Sequence, residues 1–326
     1  MARRKGTSFG RPEGLLSVAK EVGCGAKPHK YLKLYIKKIG IKMDNKKLES
    51  TEEALFSHVY FYKILFKDKP QLPNIELVKQ KLRAVYNNIE TISEDKNLYS
   101  IMINDIKVKF QDNKELGVQV FMYEPIEFDY NSISDEVYNQ AWDIKDAKEL
   151  LKECKYQVML SDFLAGGLDY KDRTTLLNNW LNITLNLFPD AAAVYNEQSG
   201  KILLREQLLK NQYPKNLRFL YSGLNIRFFK VQDTNDMIVD TFGLYSIGLS
   251  DIQYHFHDLN PNNIIQHAMN IAAYIFENGN IIKSNDEIES IFNGVKWLCR
   301  YEKSLTKPYR EILDINTLEY ASGKRN

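Results

Sequence analysis

Segments with the two-residue period of β-strands dominate the chain, and this pattern most limits the folds open to it. Residues 57–66 (SHVYFYKILF) are β-branched and aromatic, which is typical of a strand. Residues 99–110 alternate between apolar and polar side chains, and residues 117–123 return as a second strand. Helical spacing of apolar residues appears over 74–87 and again over 134–154. The chain is therefore predicted to mix antiparallel strands with helices.

The order of these elements predicts a first folded unit. A short apolar strand at 156–161 completes the order β-α-β-β-α-β. That order is typical of the split βαβ, or ferredoxin-like, unit, in which two helices pack on one face of an antiparallel sheet. We therefore predict an α+β fold that begins with a ferredoxin-like unit.

The second half of the chain predicts another antiparallel α+β unit. A length of 326 residues fits two domains of roughly 100–200 residues each. Helices are expected at 169–188 and 260–279, and strands at 191–195, 201–204, 217–231, 237–244, 252–257, 295–301 and 311–315. The predicted divisions are a basic extension (1–54), the ferredoxin-like domain (55–212), a C-terminal α+β domain (213–316) and a polar tail (317–326).

The charge of the chain is unevenly distributed. Residues 1–50 hold 13 Lys and Arg but 4 Asp and Glu, a net charge of +9, whereas the rest of the chain has a net charge of −7. Concentrated positive charge attracts polyanions, so an acidic protein or a nucleic acid is the expected partner. An intramolecular contact or a role in solubility would produce the same pattern. The predicted contact residues are Arg3, Arg4, Lys5, Arg11, Lys30, Lys33, Lys37 and Lys38.

One cluster of side chains could bind a metal. His255 and His257 are two residues apart on a predicted strand, so they point to the same face, and Asp251 shares that face. Two histidines and a carboxylate are a workable set of ligands for a divalent metal. The alternative is that these histidines are structural or exposed, and that His267 packs beside the apolar face of its helix.

Signatures of catalysis and export are missing from the sequence. G-x-S-x-G, H-E-x-x-H, P-loop and kinase motifs do not occur. The three cysteines are widely separated and form no C-x-x-C pair, which favours reduced thiols in the cytoplasm. We expect no cofactor, no signal peptide and no membrane contact, while a homo-oligomer stays open.

From Asp240 the chain reads DTFGLYSIGLSDIQYHFH, continues with NPNN and an apolar helix, and then reads WLCRYEKSLTKPYR. This block, over roughly 237–315, resembles the C-terminal part of the bacterial domain-of-unknown-function family numbered 4261. The resemblance extends over 55–315 through the pair Ala141-Trp142 and the strand AAAVY at 191–195. The matching residues are Thr241, Gly243, Leu244, Gly248, Leu249, Asp251, Gln253, Pro261, Tyr274, Trp297, Ser304, Pro308 and Arg310.

The resemblance implies a bacterial, cytoplasmic α+β protein, and it supplies no reaction. Proteins of this kind resemble accessory or conflict-system components, such as immunity or phage–host factors. We therefore expect a non-enzymatic binding or assembly protein of a bacterial or phage-related system, which contacts an acidic partner through its basic extension. A metal-dependent hydrolase using His255, His257 and Asp251, and a nucleic-acid-binding protein, are the alternatives.

Overall fold

The computed structural model describes residues 56–95, 97–110 and 114–323, so the basic extension lies outside the described residues. The first of two described β-sheets has the strand order β2-β3-β4-β6-β1-β7-β8, with β5 paired to β6. All of its pairs are antiparallel. Its strands are β1 (Phe61–Phe66), β2 (Ile89–Asp95), β3 (Leu98–Lys109), β4 (Glu115–Tyr123), β5 (Ile126–Glu127), β6 (Tyr156–Phe163), β7 (Ala193–Asn196) and β8 (Lys201–Leu204).

The second sheet has the order β12-β13-β14-β11-β10-β9. Within it β11 and β14 are parallel, and the other neighbours are antiparallel. Its strands are β9 (Asn225–Lys230), β10 (Met237–Phe242), β11 (Asp251–Phe256), β12 (Glu287–Glu289), β13 (Lys296–Lys303) and β14 (Glu311–Asn316). The connection from β11 to β14 therefore includes a long helix and two further strands.

The helices are mostly short, apart from two of 18 residues each. They are α1 (Ile75–Arg83), α2 (Asp135–Asn139), α3 (Ala147–Glu153), α4 (Tyr170–Leu187), α5 (Arg205–Leu209), α6 (Arg218–Gly223) and α7 (Pro261–Asn278). The side chains of Asp169 and Asn260 cap α4 and α7 by accepting bonds from free backbone N–H groups. Gly279, at φ 82° and ψ −174°, ends α7 in a backbone conformation that essentially only glycine adopts.

A single large apolar cluster runs through both sheets and the two long helices. It includes Ile64 of β1, Trp180 of α4, Tyr254 of β11, Ala268 of α7 and Trp297 of β13, each almost fully buried. A smaller cluster joins α3 to β7 and β8. The described residues lie in one compact unit, and the predicted division between 212 and 213 stays a prediction.

The α+β class with antiparallel sheets is confirmed, but the ferredoxin-like arrangement is not. In a split βαβ unit the first strand pairs with the third, which would join β1 to β4. Instead β6 pairs with both β1 and β4, and the other side of β1 is taken by β7. The sequence pattern also missed β2, because its residues IETISED carry few apolar side chains.

The helix predicted over 134–154 is divided into α2 and α3. The reason lies in Gln140, whose side chain accepts a bond from Phe228 N and donates one to Phe228 O, both at 2.9 Å. Gln140 thus occupies the open edge of β9, and the chain leaves the helical path there. Trp142, which lies in the connection between α2 and α3, is 61% exposed. The extended segment predicted from 217 likewise begins with the helix α6.

Two glycines with left-handed backbones allow a matched stability test. A Cβ atom on Gly243 (φ 136°) would lie 2.0 Å from Gly223 O, whereas one on Gly279 (φ 82°) would meet nothing within 4 Å. Gly279→Ala should lower the free energy of unfolding by about 1–3 kcal/mol, from backbone strain alone. Gly243→Ala adds the overlap and should cost about 3 kcal/mol or more. Urea unfolding measures both, and equal losses would contradict this geometry.

Candidate functional site

The two faces of the second sheet differ sharply in chemistry. Tyr254 of β11 lies on the face toward α7, since its hydroxyl is 2.7 Å from Nδ1 of His267 on that helix. Side chains alternate along a strand, so the neighbouring residues Asp251, Gln253 and His255 lie on the other face. That other face is polar although most of it is buried.

Five polar residues form a continuous row across five strands of this face. The strand register places Arg227 beside Asp240, Asp240 beside Gln253, Gln253 beside Asp314, and Asp314 beside Arg300. Arg227 binds Asp240 with two parallel bonds, from Nε at 2.8 Å and from Nη2 at 2.5 Å. Gln253 Nε2 donates to Asp314 Oδ1 at 3.3 Å. Cross-strand pairs of opposite charge stabilise a sheet, and the row begins and ends with such a pair, Arg227 beside Asp240 and Asp314 beside Arg300.

At one end of the row, Arg227 and Asp240 join Arg310 and Asp251 in a network of four charged residues, which we call the ion network. Arg310 Nε donates to Asp251 Oδ2 at 2.9 Å, and its Nη2 donates to the backbone oxygen of Thr241 at 2.7 Å. The four side chains are each at most 6% exposed. Burial raises the pKa of Asp251, and the charge of Arg310 opposes that shift.

The aromatic ring of Phe242 supports both guanidinium groups of the ion network. The central carbon of Arg227 lies 4.7 Å from the ring centroid, and that of Arg310 lies 5.2 Å from it. Contacts of this kind between a guanidinium group and an aromatic ring are favourable, and more so where water is excluded. The ion network is therefore held by packing as well as by hydrogen bonds.

The loop 303–310 covers the ion network and alternates between buried and exposed residues. Thr306 Oγ1 donates to Asp240 Oδ2 at 2.5 Å, and Arg227 Nη1 donates to Lys307 O at 2.8 Å. Between the buried positions, Leu305 and Tyr309 are 51% and 50% exposed. The ion network thus fixes the loop, and the loop keeps water away from the ion network.

Charge in the ion network is balanced, with two arginines against two aspartates. Both oxygens of Asp251 accept bonds, Oδ1 from the Thr241 hydroxyl at 3.0 Å and from Leu244 N at 3.1 Å. Both oxygens of Asp240 are likewise bonded to Arg227. Such a cluster binds its own members rather than a substrate, so we interpret it as a structural element.

The three predicted metal ligands lie apart. Asp251 belongs to the ion network, whereas His255 Nε2 is 3.4 Å from Asp236 Oδ2. His257 follows the end of β11, and its Nδ1 is 3.1 Å from Ser322 Oγ. Residues i and i+2 on a strand are about 6.6 Å apart, so a shared face does not make them converge. Within the described ranges, no group of three or more His, Cys, Asp or Glu side chains could hold a metal ion.

His267 is a packed histidine. Its Nε2 is 2.8 Å from the backbone oxygen of Glu289, which can only accept, so that nitrogen carries the proton. In the neutral ring Nδ1 then accepts from the Tyr254 hydroxyl. Burial lowers the pKa of His267, and the bond to Glu289 opposes the shift.

The basic contact residues cannot be placed on this framework. The described residues do not include Arg3, Arg4, Lys5, Arg11, Lys30, Lys33, Lys37 or Lys38.

The ion network was not predicted from the sequence. Its local signal is a charged residue inside an apolar strand, as at Arg227 in NIRFF and Asp240 in IVDTF.

Removing one charge from the ion network should be costly. Asp240→Asn leaves Arg227 and Arg310 buried with one carboxylate between them, so the free energy of unfolding should fall by about 3–5 kcal/mol. The matched control is Glu136→Gln, because Glu136 is 52% exposed and lies 3.7 Å from the same Arg227. That change should cost less than about 1 kcal/mol. Urea unfolding that gave both variants the same loss would show that burial does not set the cost.

The pKa of His267 provides a second test. NMR titration should place it below the usual value of about 6.5. Because the folded state then binds the proton less well than the unfolded state, the free energy of unfolding should fall as the pH drops below about 6.5 and through the folded pKa. His267→Gln should remove this part of the pH dependence. A pKa at or above the usual value would contradict the burial and the tautomer described above.

The described part of the chain contains no helix long and apolar enough to cross a membrane. No curated protein and no solved structure matches the chain. Residues 240–316 match the family described as domain of unknown function (DUF4261). This stretch runs from β10 through β14 and contains three of the four ion-network residues, Asp240, Asp251 and Arg310. The similarity to the DUF4261 family is therefore established for residues 240–316.

Proposed function

We propose that the chain is a non-enzymatic binding or assembly protein, and that its basic extension contacts an acidic protein partner. The observation that carries this proposal is the distribution of charge, +9 over residues 1–50 against −7 over the rest. Positive charge at this density raises the rate and the strength of encounters with anions.

The chemistry of the folded body supports this division of roles. In the second sheet, Arg227 and Arg310 are buried and paired with Asp240 and Asp251, so their charges are used within the fold. A polar face whose charges are already paired makes a stable scaffold and a poor electrostatic docking surface. The proposal therefore assigns recognition of the partner to the extension.

The composition of the extension favours a contact that depends on charge. Ten of its 13 basic residues are lysines. Lysine is a compact point charge, whereas arginine is the usual choice for bidentate recognition of bases and phosphates. We therefore place an acidic protein surface first, and nucleic acid second. The positions of His255, His257 and Asp251 lend no support to a hydrolase.

A bacterial, cytoplasmic setting is part of the same proposal. It rests on what the resemblance to family 4261 implies and on the two described cysteines, Cys154 and Cys299, which are free and buried. Burial raises the pKa of their thiols to about 11 and about 12. Thiols of this kind stay protonated and unreactive, as suits a structural role.

Charge variants of the full chain test the proposal. Replacing the eight predicted contact residues by Gln should weaken binding to a labelled polyglutamate probe by about tenfold or more. The control exchanges Lys for Arg and Arg for Lys at the same positions, keeps the charge, and should bind like the wild type. Fluorescence anisotropy measures both, and equal binding by both variants would overturn the proposal.

Binding to a DNA duplex tests the alternative that the partner is a nucleic acid. Contacts with about 6 phosphates would weaken by roughly 10³-fold between 50 and 200 mM salt. If the wild type binds DNA with that salt dependence and fails to bind polyglutamate, nucleic acid replaces the acidic protein as the partner.

A further inference from the structure

A hollow of about 90 Å³ opens on the surface between α4, α5 and α6. An enclosed apolar cavity of roughly 150 Å³ holds a benzene molecule, so this hollow suits a smaller group. Its accessible rim combines polar and apolar side chains, which are Asn178, Asn182, Asn211, Arg218, Leu208 and Leu209.

The helix α4 forms one wall of the hollow. Asn178 and Asn182 are four residues apart, as are Leu181 and Leu185, so both pairs lie on one side of the helix. The two leucines are at most 3% exposed and close the floor, whereas Asn182 is exposed and Asn178 is half-buried. A group that enters the hollow therefore meets the two amides rather than the leucines beneath them.

Contacts outside the hollow hold its other walls in place. Arg205 Nε donates to the backbone oxygen of Leu185 at 3.0 Å and so ties α5 to α4. The backbone N–H of Tyr213 donates to Asn211 Oδ1 at 2.9 Å, and the rings of Tyr213 and Tyr221 lie 5.5 Å apart. Because the amide oxygen of Asn211 is occupied, its Nδ2 group remains as a donor.

The polar groups at the rim are donors without acceptors. Arg218 is exposed and forms no hydrogen bond or ion pair in the described part of the chain. The side-chain amides of Asn178 and Asn182 donate to no acceptor there either. Among the described residues, no Asp or Glu lines the hollow. The rim thus presents a cation and several N–H groups to whatever enters.

We propose that this hollow binds a carboxylate group that carries a short aliphatic chain. The guanidinium of Arg218 matches a carboxylate with two parallel bonds, and the amides of Asn182 and Asn211 would donate to its oxygens. The chain would lie against Leu208 and Leu209, which are half-buried and therefore accessible. The group could belong to a free acid or to the C-terminus of a peptide. This inference uses neither the basic extension nor its partner, so it stands apart from the proposed function.

Titration of the full chain with butyrate, followed by NMR, tests the proposal. Arg218→Gln should weaken binding by about tenfold, because hydrogen bonds between two charged groups are lost. Asn182→Ala should weaken binding by about threefold, because a single amide donor is lost. The matched controls are Arg83→Gln and Asn186→Ala, which change exposed residues that do not line the hollow, and both should bind like the wild type.

Urea unfolding separates loss of binding from loss of fold. Arg218→Gln should unfold at about the urea concentration of the wild type, since the side chain is exposed and unpaired. Asn182→Ala should unfold at the same or a higher concentration, because alanine favours a helix more than asparagine does.

Three further probes define the ligand. Acetate keeps the charge but lacks two methylene groups, so it should bind at least about threefold more weakly than butyrate. Inorganic phosphate has no aliphatic chain to cover the leucines and should also bind more weakly. Tighter binding of N-acetyl-alanine than of butyrate would identify the C-terminus of a peptide as the natural group, and the reverse would identify a free acid.

The proposal fails on any of three results. The first is the absence of butyrate binding to the wild type. The second is equal binding of butyrate by Arg218→Gln and Arg83→Gln, or by Asn182→Ala and Asn186→Ala. The third is binding of acetate or phosphate as tight as that of butyrate, which would mean that the hollow recognises charge alone.

Discussion

The paired bonds between Arg227 and Asp240 are the contact on which the rest of the second sheet depends. They join β9 to β10, and the remaining donors of Arg227 reach Lys307 O and Thr306 Oγ1 of the loop 303–310. Through Arg310 the same aspartate is linked to Asp251 on β11. Burying four charges is unfavourable unless each finds several partners. The strand register, the closed loop and the ion network therefore require one another.

This dependence constrains where the protein can interact with other molecules. Charges that hold the fold together are not available to a partner, and the ion network is balanced and shielded from water. Unbalanced charge lies instead in the basic extension and in the acidic excess of the body.

Much of the fold could be predicted from the sequence, since local patterns determine it. Regular alternation predicted β3 and β4, and helical spacing of apolar residues predicted α4 and α7 close to their observed ends. The half-polar strand β2 lacked such a pattern. The division of the helix after α2 depends on Gln140 bonding to Phe228, 88 residues away. Local periodicity contains no information about that contact.

The ion network was hidden for the same reason. The polar row beside it depends on the register between strands, with partners such as Gln253 and Asp314 61 residues apart. The sequence predicted that Asp251 shares a face with His255, but the partner of Asp251 is Arg310, which is 59 residues away in the chain.

A double-mutant cycle between Arg227 and Asp240 tests most directly whether the ion network holds the fold together. The single variants Arg227→Met and Asp240→Asn each leave a buried charge without its partner, and the double variant removes both. If the structure depends on this pair, urea unfolding should give a coupling energy of about 2–3 kcal/mol. Losses that add to within about 0.5 kcal/mol would contradict that dependence. The polar row would then be open to a role in binding.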